Sequence, residues 1–119
     1  MESVPGDLKP IPFRFWNAIS GREPVRDWLN GFSRDDQKTV GRDIAKVQFG
    51  WPIGLPLCRL LGGGLWEIRT SLPGRREVRI MICFHDGVLI ALHSFVKKSQ
   101  KTPLKELALA KQRMKELTR

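Results

Sequence analysis

The run Glu77-Val78-Arg79-Ile80-Met81-Ile82-Cys83-Phe84-His85-Asp86-Gly87-Val88-Leu89-Ile90-Ala91-Leu92-His93-Ser94-Phe95-Val96 decides the fold. Its first part alternates. Val78, Ile80, Ile82 and Phe84 take one face, and Glu77, Arg79, Met81 and Cys83 take the other. Asp86-Gly87 is a strong hairpin dipeptide, because both residues tolerate the positive φ that a tight turn requires. The pattern predicts strands over 77–84 and 88–96. A further strand over 65–70 joins them through Pro73-Gly74. Strands linked this way form an antiparallel meander, with one face against helices and the other more open.

Outward from this run, the period changes from 2 to 3.6. Upstream, Val25, Trp28, Leu29 and Phe32 fall at i, i+3, i+4 and i+7, one face of a helix that Pro24 opens, with Ser20 or Glu23 as its cap. Ser33 opens a second helix, with Asp36 three residues on. Val40, Ile44 and Val47 form its buried stripe, and Gly50-Trp51-Pro52 stops it. The two helices predict a hairpin lying on a sheet. Before them, the prolines of Lys9-Pro10-Ile11-Pro12-Phe13-Arg14-Phe15-Trp16 restrict that segment to a short edge strand, and residues 1–9 read as a loose lead-in. Downstream, Thr102 and Pro103 predict a cap and first position for a last helix, with Leu107, Ala110, Met114 and Leu117 as its apolar stripe. The expected class is α+β, in the order β-α-α-β-β-β-α, as a single domain over residues 1–119. Gly62-Gly63-Gly64 lacks the Lys-Ser/Thr of a phosphate loop and reads as a bend before Leu65.

Composition narrows the function. The longest apolar runs are five residues, 80–84 and 88–92, against the roughly 18 of a membrane span. Two cysteines, Cys58 and Cys83, make neither a disulfide framework nor a four-thiolate zinc site, and the two histidines lack metal-ligand spacing. No metal and no cofactor are expected, and a cytoplasmic location is. The net charge of +9 is unevenly spread: residues 1–58 hold eight basic and seven acidic side chains, and residues 59–119 hold thirteen and five. A half carrying +8 suggests a face built for a polyanion.

Within that half, the two-residue period puts Arg69 with Leu65 and Glu67, and Arg79 with Glu77 and Met81. Both arginines can then point to the open face, where guanidinium groups bind phosphate bidentately. The same spacing also suits a surface ion network among Glu67, Arg69, Glu77 and Arg79. Lys97, Lys98 and Lys101 follow the last strand, where a lysine among other cations can lose its proton readily; a solvated loop has the same composition. His93 is either a hydrogen-bonded, half-buried residue or a proton carrier. Trp16, Trp28 and Trp51 read as core or interface anchors, and Trp66 stays open between that role and base stacking.

The segments Gly63-Gly64-Leu65-Trp66-Glu67-Ile68-Arg69, Val78-Arg79-Ile80-Met81 and Leu92-His93-Ser94-Phe95-Val96-Lys97-Lys98-Ser99-Gln100-Lys101-Thr102-Pro103 resemble the RelE/ParE toxin superfamily, in its phage-derived, HigB-like branch. The resemblance spans about residues 10–117 and is most specific over Phe95 to Pro103. It implies a RelE-like fold and a type II toxin that cuts mRNA on the ribosome without metal. In that chemistry the 2′-hydroxyl attacks the adjacent phosphate and basic residues replace a histidine pair. Carried onto this chain, it implies catalytic roles for Arg69, Arg79, Lys97, Lys98 and His93. It implies RNA contacts at Lys101, Lys105, Glu67 and Trp66, with Glu67 also able to orient Arg69. The implied partners are a HigA-like helix-turn-helix antitoxin in a hetero-oligomer, the ribosome and mRNA. The chain contains no tyrosine, which some relatives use near the active centre, and Glu67 stands where some have lysine. His93 and Lys97 are the remaining proton carriers. ParE-like members of the superfamily instead inhibit DNA gyrase, and a non-catalytic RNA-binding protein is a third reading.

Overall fold

A computed structural model describes residues 9–98 and 101–117. The expected loose lead-in therefore lies, apart from Lys9, outside the described residues. The elements are β1 (Phe13–Phe15), α1 (Pro24–Asn30), α2 (Arg34–Gly50), β2 (Cys58–Gly62), β3 (Leu65–Leu72), β4 (Arg76–His85), β5 (Val88–Lys97) and α3 (Leu104–Glu116). The fold is α+β, with the expected order and one extra strand. The sheet order is β1-β5-β4-β3-β2.

Two features of the sheet differ from the sequence reading. It is mixed, because β1 runs parallel to β5, with Phe13 beside Leu89 and Phe15 beside Ala91. It also carries β2, antiparallel to β3, where the sequence reading has only a bend. Gly62, Gly63 and Gly64 all have positive φ, so the glycine run turns a hairpin rather than bending a single strand. Asp86 and Gly87 likewise both have positive φ, as the β4–β5 turn requires.

One face of the sheet receives the helical hairpin. Ser33 caps α2 by accepting from the Asp36 amide at 3.1 Å. Val25, Val40 and Val47 pack on Ile68, Val78, Ile80, Ile82, Leu89 and Ala91. Arg76, after the β3–β4 turn, ties that hairpin to α2 by donating to Asp36 at 2.6 and 3.2 Å. Phe84 belongs to this face but is 49% exposed. It lies 6.0 Å from the ring of Trp51, which meets Trp66 edge-on at 4.8 Å.

The opposite face is not open along its whole length. α3 crosses it and buries Leu65, Met81, Cys83, Leu92, Phe95 and Ala110 with Leu107, Met114 and Leu117. Its cap differs from expectation: Pro103 is the N-cap, and the Thr102 hydroxyl donates to Glu67 instead. β5 also breaks simple alternation. Met81 pairs with His93, but Ile82 pairs with Ala91, so Leu92 is an inserted residue. This bulge turns both Leu92 and His93 toward α3 and separates His93 from Leu89 and Ala91, which face α2. Arg113 of α3 donates to the Leu92 carbonyl at 2.8 Å and lies over the Trp16 ring at 4.5 Å.

Candidate functional site

Beyond the N-terminal end of α3, its face of the sheet changes character. Strand parity places Arg59 of β2, Glu67 and Arg69 of β3, Glu77 and Arg79 of β4, and Lys97 of β5 side by side. The register pairs Arg59 with Glu67, Arg69 with Arg79, and Glu77 with Lys97. Two arginines directly opposite each other are unfavourable for a sheet. Such a local conflict marks this end of the sheet as a candidate functional site.

The carboxylates hold the centre of this cluster. Glu67 is 1% exposed and Arg79 is 3% exposed. The Arg79 guanidinium donates to Glu77 Oε1 at 3.3 Å and to the Val78 carbonyl at 3.0 Å. Its Nε stands 3.9 Å from Glu67 Oε1, too far for a hydrogen bond. Both atoms are buried without a hydrogen-bond partner. Glu67 Oε2 accepts from the Thr102 hydroxyl at 3.1 Å. Ser71 donates to both oxygens of Glu77, at 2.8 and 3.0 Å.

Two expectations are corrected here. Arg79 does not point into solvent. It lies under the surface, with Phe95 opposite it on β5. Glu67 faces Arg79, where the sequence reading has it orienting Arg69.

Lys97, half-buried and in register with Glu77, is the lysine of the cluster. Its burial, and then the positive charges of Arg79, Arg69 and Arg59, push its ammonium below the ordinary lysine range against the pull of Glu67. Repulsion from like charges and loss of water both favour the neutral amine, the form that accepts a proton.

The structure thus brings together Glu67, Arg69, Arg79 and Lys97 from among the sequence candidates. Lys98 is exposed at the end of β5, and Lys101 and Lys105 are exposed on the approach to α3 and in its first turn. Two candidates stand apart. Trp66 has the opposite parity to Glu67 and packs against Trp51 on the α2 side. His93 is drawn to α3, its Nε2 2.6 Å from Glu106 Oε1 and its ring stacked 6.0 Å from Phe95. That pairing gives His93 a structural role as a clasp. Arg59 is the residue the sequence reading missed. Gly-Gly between two apolar runs is a hairpin signal that would have placed it on a strand opposite Glu67.

A family model described as phage-derived protein Gp49-like (DUF891) matches residues 27–115. The chain belongs to this family. The match runs from α1 to the last turn of α3 and includes every residue of the cationic cluster. The Gp49-like family is associated with RelE- and HigB-like toxins. No curated protein matches the chain. Among the described residues, no helix is long and apolar enough to cross a membrane.

Proposed function

We propose that this Gp49-like protein is the toxin of a type II toxin–antitoxin system, a HigB-like endoribonuclease that cuts mRNA on the ribosome in the cytoplasm. One observation carries the reading: the strand register brings Arg59, Arg69, Arg79 and a half-buried lysine, Lys97, together on one face of the sheet, and the arginines' charges act to lower the lysine's pKa.

In this reading the neutral Lys97 amine takes the proton of a ribose 2′-hydroxyl. The O2′–P bond forms as the P–O5′ bond breaks, leaving a 2′,3′-cyclic phosphate. The departing 5′-oxygen takes a proton from water. Arg69 and Arg59 offer guanidinium donors to the non-bridging oxygens, where charge builds in the transition state. Arg79, beneath them, adds positive potential without touching the substrate. Lys98, Lys101 and Lys105 hold flanking phosphates.

A helix-turn-helix antitoxin is the proposed partner. The aromatic group Trp51, Trp66 and Phe84, with Leu60 in register beside Trp66 and 57% exposed, supports a protein-docking surface away from the cationic cluster.

The test is primer extension on mRNA incubated with ribosomes and the full chain. Codon-linked cuts are expected, and Arg69→Ala lowers their rate by about 10²–10³. Uncut mRNA, or an Arg69→Ala protein that cuts like the parent, sinks the proposal. Loss of plasmid supercoiling with intact mRNA points instead to the gyrase reading.

A further inference from the structure

Beside the cationic cluster lies a cavity of about 550 Å³ between α2 and the β3 side of the sheet. It shares Arg69 and Glu77 with the cluster. Asp43 and Lys46 of α2 face it, and Pro56 and Leu57 form apolar wall. Its chemistry differs from that of the cluster. Arg69 and Lys46 are balanced by Asp43 and Glu77, so the cavity has no excess charge with which to hold a second phosphate. It offers donors, acceptors and an apolar surface together, which is what a heteroaromatic ring with a polar edge requires.

We propose that this cavity is a nucleobase subsite and that it selects guanine in the nucleotide next to the cut phosphate. The inference rests on the nuclease reading above and adds the base that the same site recognises. Of the two carboxylates, Glu77 is engaged by Ser71 and Arg79. Asp43 is the freer one. Among the described residues its ion pair is with Lys46 Nζ at 3.7 Å, where the lysine side chain is 62% exposed and the Asp43 side chain 19%. A carboxylate accepts two parallel N–H bonds, and guanine alone among the four RNA bases presents adjacent N1–H and N2–H donors on one edge. Its O6 and N7 accept from cations such as Lys46 and Arg69. Adenine and cytosine present one amino group beside an acceptor, and uracil presents one N–H between carbonyls. Each would leave an Asp43 oxygen unmatched. Pro56 and Leu57 supply a surface for the ring plane, and the shared Arg69 keeps the attached phosphate at the cluster.

The experiment is an NMR titration of the full chain with GMP, AMP, CMP and UMP, followed through the backbone amides of Leu57, Arg69 and Ser71. GMP is expected to move these signals and to bind about tenfold or more tightly than the others, the discrimination typical of a bidentate base contact. Asp43→Asn keeps the carboxylate's shape, gives up the ion pair with Lys46, and abolishes the preference. Equal binding of all four nucleotides, or an unchanged preference in Asp43→Asn, overturns the subsite. Failure of the nuclease reading shows elsewhere, as uncut mRNA in the primer-extension assay. In that assay the subsite predicts that in Asp43→Asn the cuts next to guanine lose their excess over the other cuts.

Discussion

The α3 side of the sheet has two halves built on the same strands with the same parity. In one half β3, β4 and β5 contribute Leu65, Met81, Cys83, Leu92 and Phe95, and α3 seals them. In the other half the same strands contribute Glu67, Arg69, Glu77, Arg79 and Lys97, and β2 adds Arg59. Burial works in opposite directions on their titratable groups. It pushes the Cys83 thiol up to about 11, leaving it protonated and inert. It pushes the Lys97 ammonium down, toward the neutral base. The backbone is therefore one scaffold, and residue type along each strand decides which part is apolar core and which part is a charged cluster.

The largest expected effect lies in the apolar half. Met81 is fully buried, so Met81→Ala should lower unfolding stability by about 2–5 kcal/mol in a urea melt. Cleavage per folded molecule should not change. A loss below about 0.5 kcal/mol, the scatter of surface substitutions, would break the distinction between the halves.

The charged half should respond in the reverse manner. Lys97→Met should remove about 10²–10³ of the cleavage rate and melt no lower than the parent, because it relieves repulsion from three arginines. In the parent, the alkaline change in rate should fall below the roughly 10.4 of a free lysine. A variant that keeps its rate and loses stability would turn the cluster into part of the core.

The boundary between the halves gives a smaller effect. Glu67→Ala leaves Arg79 buried with Glu77 as its remaining carboxylate. Its cost should be about 2–3 kcal/mol, under the roughly 3–5 of a fully broken buried pair. Replacing both partners, Glu67→Leu with Arg79→Met, should recover most of that stability while leaving cleavage impaired. A double variant less stable than Glu67→Ala would show that the pair is a net support of the fold.

The smallest effect belongs to the hairpin side. The Arg76 guanidinium donates to Asp36 and holds its carboxyl below the usual carboxylate range. This contribution is present above about pH 4, where an unfolded aspartate is ionised. It is lost as pH falls through the lowered native value. Asp36→Asn should therefore melt below the parent at neutral pH, and thermal scans of the two should converge as the pH falls below that lowered native value.

The helices and the central strands were legible in the sequence because burial on one face imposes a period. Val25, Trp28, Leu29 and Phe32 mark α1, and Val78, Ile80 and Ile82 mark β4. What escaped has a physical reason in each case. β2 is a short edge strand whose outer residues, Arg59 and Leu60, are exposed, so no alternation announces it. The parallel pairing of β1 depends on a contact with β5 more than seventy residues away. Within the site, parity brought out Arg69, Arg79 and Glu67. It carries no information on depth, so Arg79 read as surface until Phe95 and the two carboxylates were seen around it. Trp66 stayed open for the same kind of reason: its neighbour Trp51 lies in a loop that no periodicity reaches.

The inserted Leu92 acts as a phase shifter. Before it, odd-numbered residues of β5 look toward the helical hairpin; after it, odd-numbered residues look toward α3. Phe95 and Lys97 reach the cationic cluster only because of that half-period slip. If Leu92 were paired as an ordinary rung of the ladder, alternation would send the proposed proton acceptor to the wrong side of the sheet, whereas deleting Leu92 would repair the ladder and leave Lys97 where it is. The irregularity is thus the device that lets one strand serve both sides in turn.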